Sequence, residues 1–453
     1  KSPEAGKALF STLNEHPATA VETAAEYLNA GLWQDGATVL SGAVDAARDK
    51  SRISPMVYYY LAHFAGRLGQ PRRASEYYRL AASMPPDYVF PFEHEAIQVL
   101  WQAMRANPSD ARAPYYLGNL LFDWQPEEAV KLWESSASLD AGFPIVHRNL
   151  AVAYSHRDEE GALKKAVASL ERAVSLPNKY PMHFFELDQL YEAAGTAPEK
   201  RLAVLEKNHN IILGRDDALS RAISLKVNLG KYDEAIELLK GREFNTWEGG
   251  ARFNTHGDWT DAHLLRGHQR LAAKRHREAL ADYQAALQFP ENLRAERREG
   301  SGRQPEVAYW IGAAHEALGD AEKARQSWQA STSAELARAR GGGDVLSERG
   351  VQLYYQALSL RRLGRNEKVE AILKELVAAG DEAARQESSG LDFFSAFGER
   401  QSRRARVAMA HYIAGLGYLG LNEKEKAKQE MTRALEISPD HLGAKSALAG
   451  LGN

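Results

Sequence analysis

One spacing recurs along this chain and limits what it can fold into. Gly312 is followed twelve positions later by Ala324, then by Trp328 and by Ser331. The same offsets give Gly267, Ala279, Tyr283 and Ala286, then Gly415, Ala427, Met431 and Ala434, and Ala62, Ala74, Tyr78 and Ala81. Gly118, Ala129 and Trp133 repeat the pattern one residue shorter. Steps of three and four residues stay on one helical face. Two such faces about a dozen residues apart describe a helical hairpin. The small first residue lets the second helix approach, the Ala meets it, and the large side chain fills the gap towards the next unit. Gly69, Gly195, Gly230, Gly319 and Gly364 each follow an apolar helix end, where a left-handed cap suits glycine. Pro86 and Pro439 close their units because proline cannot continue a helix.

Ten positions fill the small-residue slot: Ala25, Ala62, Gly118, Ala151, Asp188, Ile223, Gly267, Gly312, Ala357 and Gly415. Asp188 and Ile223 fit it poorly, so about nine units are expected. A lone second helix is expected around Ala96, Leu100 and Ala103, with PPDYVFPF in place of its first helix. The segments 291–304, 338–348 and 380–404 read as loops inserted between units. Repetition of this kind resembles the tetratricopeptide repeat, with its W-x2-L-G-x2-Y…A-x3-F…P pattern. The resemblance implies an all-α fold, a tetratricopeptide-like α-solenoid, in which helix–turn–helix units stack into a right-handed superhelix.

Further runs, YYYLAHFAG (58–66), DYVFPFEHEAIQVL (87–100), NPSDARAPYYLGNLLFDW (107–124), FPIVHRNLAVAY (143–154), TWEGG (246–250) and FPENL (289–293), resemble a bacterial family. In it such an array follows an N-terminal β-rich domain of unknown function, similar to sandwiches of carbohydrate-active proteins. The resemblance implies that this chain is the array, and that its partner could be that missing N-terminal domain. The chain starts at Lys1, consistent with a processed start or a piece of something longer.

Composition narrows the function classes. With a net charge of −3, the chain lacks the basic excess that nucleic-acid phosphates require. No run of 18 apolar residues offers a membrane span. With no Cys, thiolate nucleophiles and Cys-based zinc sites are excluded, and a reducing compartment, the cytoplasm ahead of the periplasm, is the expected location. The sequence holds no phosphate-cradling G-x-x-x-x-G-K-[ST], no G-x-G-x-x-G at a strand-to-helix turn and no H-E-x-x-H. No catalytic residue, metal ligand or cofactor is expected.

Binding residues are expected on the concave face of the solenoid, lined by the first helices. One turn before the small slot stand Tyr59, Tyr115, Arg148, Phe185, Leu264, Tyr309, Tyr354 and Tyr412, and just after it His63, Asn119, Gln189 and His268. Arg361 adds charge on a late helix. Such a ladder suits an extended peptide or protein partner, gripped by amides and aromatic faces, or a glycan stacked on the rings. It equally suits packing between neighbouring helices, since Tyr couples a large apolar area to one polar tip. Arg148 and Asn149 interrupt the aromatics. Arg148 could clamp a carboxylate through two parallel hydrogen bonds or pair with Asp123.

The stretch TWEGGARFN interrupts the helices, because adjacent glycines cost roughly 1 kcal/mol each in a helix. It divides the chain into a run of hairpins over 1–240, a non-repeat segment over 241–258 and a second run over 259–453. Trp247 either plugs the seam between the runs or, with Glu248 and Arg252, folds over the groove towards a ligand. The function expected is a non-catalytic scaffold for a protein or peptide. The alternative is a helical accessory region of a carbohydrate-active enzyme, contributing to glycan binding or hydrolysis.

Overall fold

The computed structural model describes residues 17–47, 49–50, 53–157, 159–177, 179–245, 254–293, 302–334, 345–386 and 397–451. Packing divides the chain into two units, Lys1–Lys179 and Tyr180–Asn453. Among the described residues both units contain helices and no strand.

In the first unit α1 (Pro17–Asn29) pairs with α2 (Trp33–Ala46), and α3 (Pro55–Arg67) with α4 (Pro71–Ser83). Next comes α5 (Ala96–Ala106), preceded by the non-helical segment PPDYVFPF. Then α6 (Arg112–Leu121) pairs with α7 (Pro126–Leu139), and α8 (Pro144–Ser155) with α9 (Ala162–Ser175). Pro55, Pro71, Pro126 and Pro144 all sit in a first turn, where a missing N–H leaves no bond unmade.

The second unit runs through α10 (Pro181–Ala193), α11 (Pro198–Lys207), the short α12 (His209–Ile212), α13 (Asp216–Asn228) and α14 (Tyr232–Lys240). It continues with α15 (Thr255–Ala272), α16 (His276–Ala285), α17 (Gln304–Ala317), α18 (Ala321–Ser333), α19 (Glu348–Arg362), α20 (Val369–Gln386), α21 (Phe397–Gly420), α22 (Lys424–Ile437) and α23 (Leu442–Leu451). All ten small-slot residues lie on a helix followed by a second one, and all ten are buried.

The spacing rule has a direct steric cause. A Cβ built on Gly312 would stand 2.4 Å from Trp328 Nε1, one on Gly118 2.5 Å from Trp133 Nε1, and one on Gly267 2.5 Å from Tyr283 Cε1. The large side chain therefore lies flat on the glycine of its own hairpin. Tyr283 also joins Val307 and Ala314 of the next hairpin in one core, so it fills both gaps. The small residue three further on anchors the hairpin base where it is Ser: Ser136 Oγ donates to Ala111 O at 2.7 Å and Ser331 Oγ to Pro305 O at 2.9 Å.

Two local expectations change. The stretch 380–404 is not one loop: α20 runs on to Gln386 and α21 begins at Phe397. Its Ala, Glu, Gln and Arg residues are strong helix formers, and Gly380 lets α20 approach Ala410 and Ala414 of α21 closely. The first helix after TWEGGARFN starts at Thr255 rather than near Trp259, because Asn254 Oδ1 caps it by accepting from Gly257 N at 2.9 Å.

Candidate functional site

Three consecutive first helices of the second unit carry two parallel rows of side chains. The first row is ionic. Arg303, just before α17, bonds Asp261 of α15 at 2.5 Å and Glu306 at 2.9 Å, and stands 3.6 Å from Glu348 at the start of α19. The second row is aromatic. His268 of α15 packs tilted against Trp310 of α17 with centroids 4.2 Å apart, and Trp310 meets Tyr355 of α19 edge-on at 6.3 Å. Each aromatic is seven residues beyond an ionic residue on its own helix or, for Arg303, at that helix's N-cap: 261 and 268, 303 and 310, 348 and 355. Seven residues are two turns, so the rows share a face about 10.5 Å apart. His268, Trp310 and Tyr355 are half-buried, as are Asp261 and Arg303, while Glu306 is buried and Glu348 exposed, so the face is only partly open to solvent.

The electrostatics of this face are lopsided. Among the described residues Arg303 is the cation paired with three carboxylates, Asp261, Glu306 and Glu348. Burial raises the Asp261 and Glu348 carboxyls, and the Arg303 guanidinium opposes it. Next along, burial pushes Asp258 up to about 7, although Ser224 Oγ donates to both its oxygens at 2.9 Å and pulls the other way. His268 is driven down to about 3 by burial and then by Arg303, so it is a neutral ring whose Nδ1 meets Tyr283 OH at 2.9 Å. Among the described residues the face combines a carboxylate-rich row with a row of mutually tilted aromatic rings. Among the described residues no three His, Asp or Glu side chains are grouped to hold a metal ion.

The residues expected from sequence fall into three groups. Tyr59, Tyr115, Phe185 and Tyr354 are buried, and take the packing role. Tyr59 OH donates to Asp110 Oδ2 at 2.7 Å, and Tyr115 packs edge-on against Phe143 at 4.8 Å. His63 is buried beside Trp33 and Phe64, and burial lowers it to about 4. Asn119, Arg148 and Asn149 remain half-exposed in the first unit. There Asn149 Nδ2 donates to Asn119 Oδ1 at 2.8 Å, which also accepts from Trp133 Nε1 at 3.1 Å. In the second unit Gln189, His268 and Tyr309 are half-buried, and Arg361 is exposed, donating to Gly420 O at 2.8 Å. Trp247, Glu248 and Arg252 lie outside the described residues.

Sequence reasoning named His268 and Tyr309 and passed over Trp310, Tyr355 and the whole ionic row. The overlooked signal was the seven-residue spacing of Asp261, Arg303 and Glu348 from these rings. The misfit of Asp188 in the small slot has a cause. Its carboxylate is buried and gripped by Arg201 at 2.8 and 2.9 Å, with Arg221 beside it.

Hairpins of this geometry define a helical-repeat protein. A tetratricopeptide-repeat family model matches residues 57–88 and 410–441, so the chain contains repeats of that kind. Solved structures similar to it include the APC/C hetero-tetramer Cut9-Hcn1, at 11% identity over 99% of each chain with a TM-score of 0.27. Another is the human IFIT1 dimer with PPP-AAAA, at 12% identity over 96% of this chain and 95% of that one, with a TM-score of 0.29. Naa15/Naa10 bound to HypK-THB is similar at 12% identity, over 96% of this chain and 65% of that one, with a TM-score of 0.29. No helix among the described residues is long and apolar enough to cross a membrane.

Proposed function

We propose that this chain is a non-catalytic interaction scaffold whose second unit binds a segment of a protein partner on the two-row face. The observation that carries the reading is the pairing of a carboxylate-rich row with an aromatic row about 10.5 Å away on the same helices. A ligand that matches it carries a Lys or Arg to meet Asp261, Glu306 and Glu348. It also carries an apolar or aromatic group, or a second cation, to lie on Trp310 and Tyr355. Asn119, Arg148 and Asn149 offer a smaller polar patch on the first unit, suited to backbone amides or a carboxylate. The partner could be another domain of the same polypeptide.

A glycan is the second reading, since Trp310 beside carboxylates also suits a sugar ring. The two are separated by screening the chain against a peptide array and a glycan array. The scaffold reading expects enrichment of peptides that combine basic and aromatic residues. It also expects Trp310→Ala and Glu348→Lys each to weaken binding by at least about tenfold, as central contacts do, with the melting temperature held. Glycan binding abolished by Trp310→Ala would replace the protein ligand with a sugar. Binding indifferent to both substitutions would remove the face from consideration.

A further inference from the structure

The last hairpin of the second unit returns to its first. Asp440, between α22 and α23, pairs with Arg201 of α11, and its backbone oxygen accepts from Asn228 Nδ2 at 2.9 Å. Lys445 of α23 donates to Asn228 O at 2.9 Å and to its Oδ1 at 3.0 Å. Arg404 of α21 donates to Ala193 O at 2.8 Å and to Ile437 O at 2.7 Å, tying the end of α10 to the end of α22. Apart from the Arg404–Ile437 bond, these bonds join residues more than two hundred positions apart. A solenoid whose units touch only their sequence neighbours makes none of them.

The junction differs in kind from the joints between successive hairpins. Most successive helices from α13 onwards pack along their lengths, whereas among the described residues no helix of the α10–α13 end does so with a helix of the α21–α23 end. What holds the ends is a set of side-chain hydrogen bonds, and one Asp440 oxygen is buried without a partner. Breaking the junction strands no deep charge. Arg201, buried to 2% exposure, keeps its two-point bond to Asp188, and Asp188 keeps Arg221. A buried pair is costly to break when one partner is left alone. Here the division of partners avoids that cost for Arg201, and opening gives up the Arg201–Asp440 ion pair and a few hydrogen bonds from Lys445, Arg404 and Asn228.

We propose that the second unit is a ring closed by a polar clasp, with Asp440, Lys445 and Arg404 on one side and Arg201, Asn228 and the Ala193 carbonyl on the other. The clasp opens as a hinge while each end stays folded.

The chain has no cysteine, so a pair introduced at the exposed Ala194 and Glu436 is unique for labelling. Distances between nitroxides at Ala194→Cys and Glu436→Cys are measured by double electron–electron resonance. The clasp expects one short-distance population in the otherwise native chain. Adding Asp440→Ala, Lys445→Met and Arg404→Met should raise a long-distance population at least about tenfold, because the three changes remove several hydrogen bonds at once, with helix content unchanged. A long distance in the native background, or a short one untouched by the triple substitution, overturns the clasp. A single substitution, Lys445→Met, repeats the test should the triple variant fail to fold.

Discussion

Replacing Gly312 with Ala tests the steric rule of the hairpins that carry glycine in the small slot. In an open helix this change is favourable by about 1 kcal/mol, because Gly is the poorer helix former. Here the added Cβ would stand 2.4 Å from Trp328 Nε1, 2.6 Å from Cδ1 and 2.9 Å from Cε2. An ordinary carbon contact is about 3.5–4.0 Å, so the indole has to retreat by roughly 1 Å. Trp328 is buried and its Nε1 donates to Tyr309 O at 3.3 Å, a bond the retreat breaks. Overpacking of this kind costs about 1–3 kcal/mol and the hydrogen bond about 1 kcal/mol more. After the propensity gain is subtracted, Gly312→Ala destabilises by about 1–3 kcal/mol. Gly66→Ala is the matched control: its Cβ meets only the flexible end of Gln102 at 3.4 Å, so it should be neutral or stabilising by up to about 1 kcal/mol. Repeat arrays need not unfold in one step. The readout is therefore amide hydrogen exchange in α17 and α18, alongside urea unfolding. Equal effects at Gly312 and Gly66, or protection of α17 and α18 unchanged by Gly312→Ala, would refute the reasoning.

Lys274 occupies the hairpin-turn position that is glycine in several other units and has φ +60°, so Lys274→Gly should stabilise by about 0.5–1 kcal/mol in urea unfolding. Tyr59→Phe leaves one oxygen of the buried Asp110 without its donor, while the other still caps α6 through Arg112 N and Ala113 N; a loss of about 1–3 kcal/mol is expected by the same assay. His63 is held near 4 by burial, against about 6.5 in the unfolded chain. Between those values only the unfolded chain binds the proton, so stability falls as pH drops from about 6.5 towards 4, by about 1–2 kcal/mol at pH 5. A His63→Gln chain should lack that part of the slope. Ser224→Ala removes the hydroxyl that holds Asp258 down, so its titration, followed by carboxyl infrared bands, should move upwards from about 7.

The hairpin series was legible in the sequence because its cause is local. Gly312 and Trp328, or Gly267 and Tyr283, meet within one helix–turn–helix, so a steric requirement between them becomes a fixed spacing along the chain. The left-handed turns at Gly69, Gly195, Gly230, Gly319 and Gly364 were legible for the same reason. The tyrosine ladder was legible as a pattern but not as a role. Whether Tyr59 or Tyr115 faces solvent depends on how one hairpin seats against the next, and burial there put both inside. The two-row face was half legible. Its seven-residue spacing lies within single helices or their N-cap, but the alignment of Asp261 with Arg303 and Glu348 needs three hairpins in register. The clasp was not legible at all. Asp440 finds Arg201 only because small rotations between successive hairpins add up over the whole unit. That sum is a property of the packed array, and no spacing within one repeat records it.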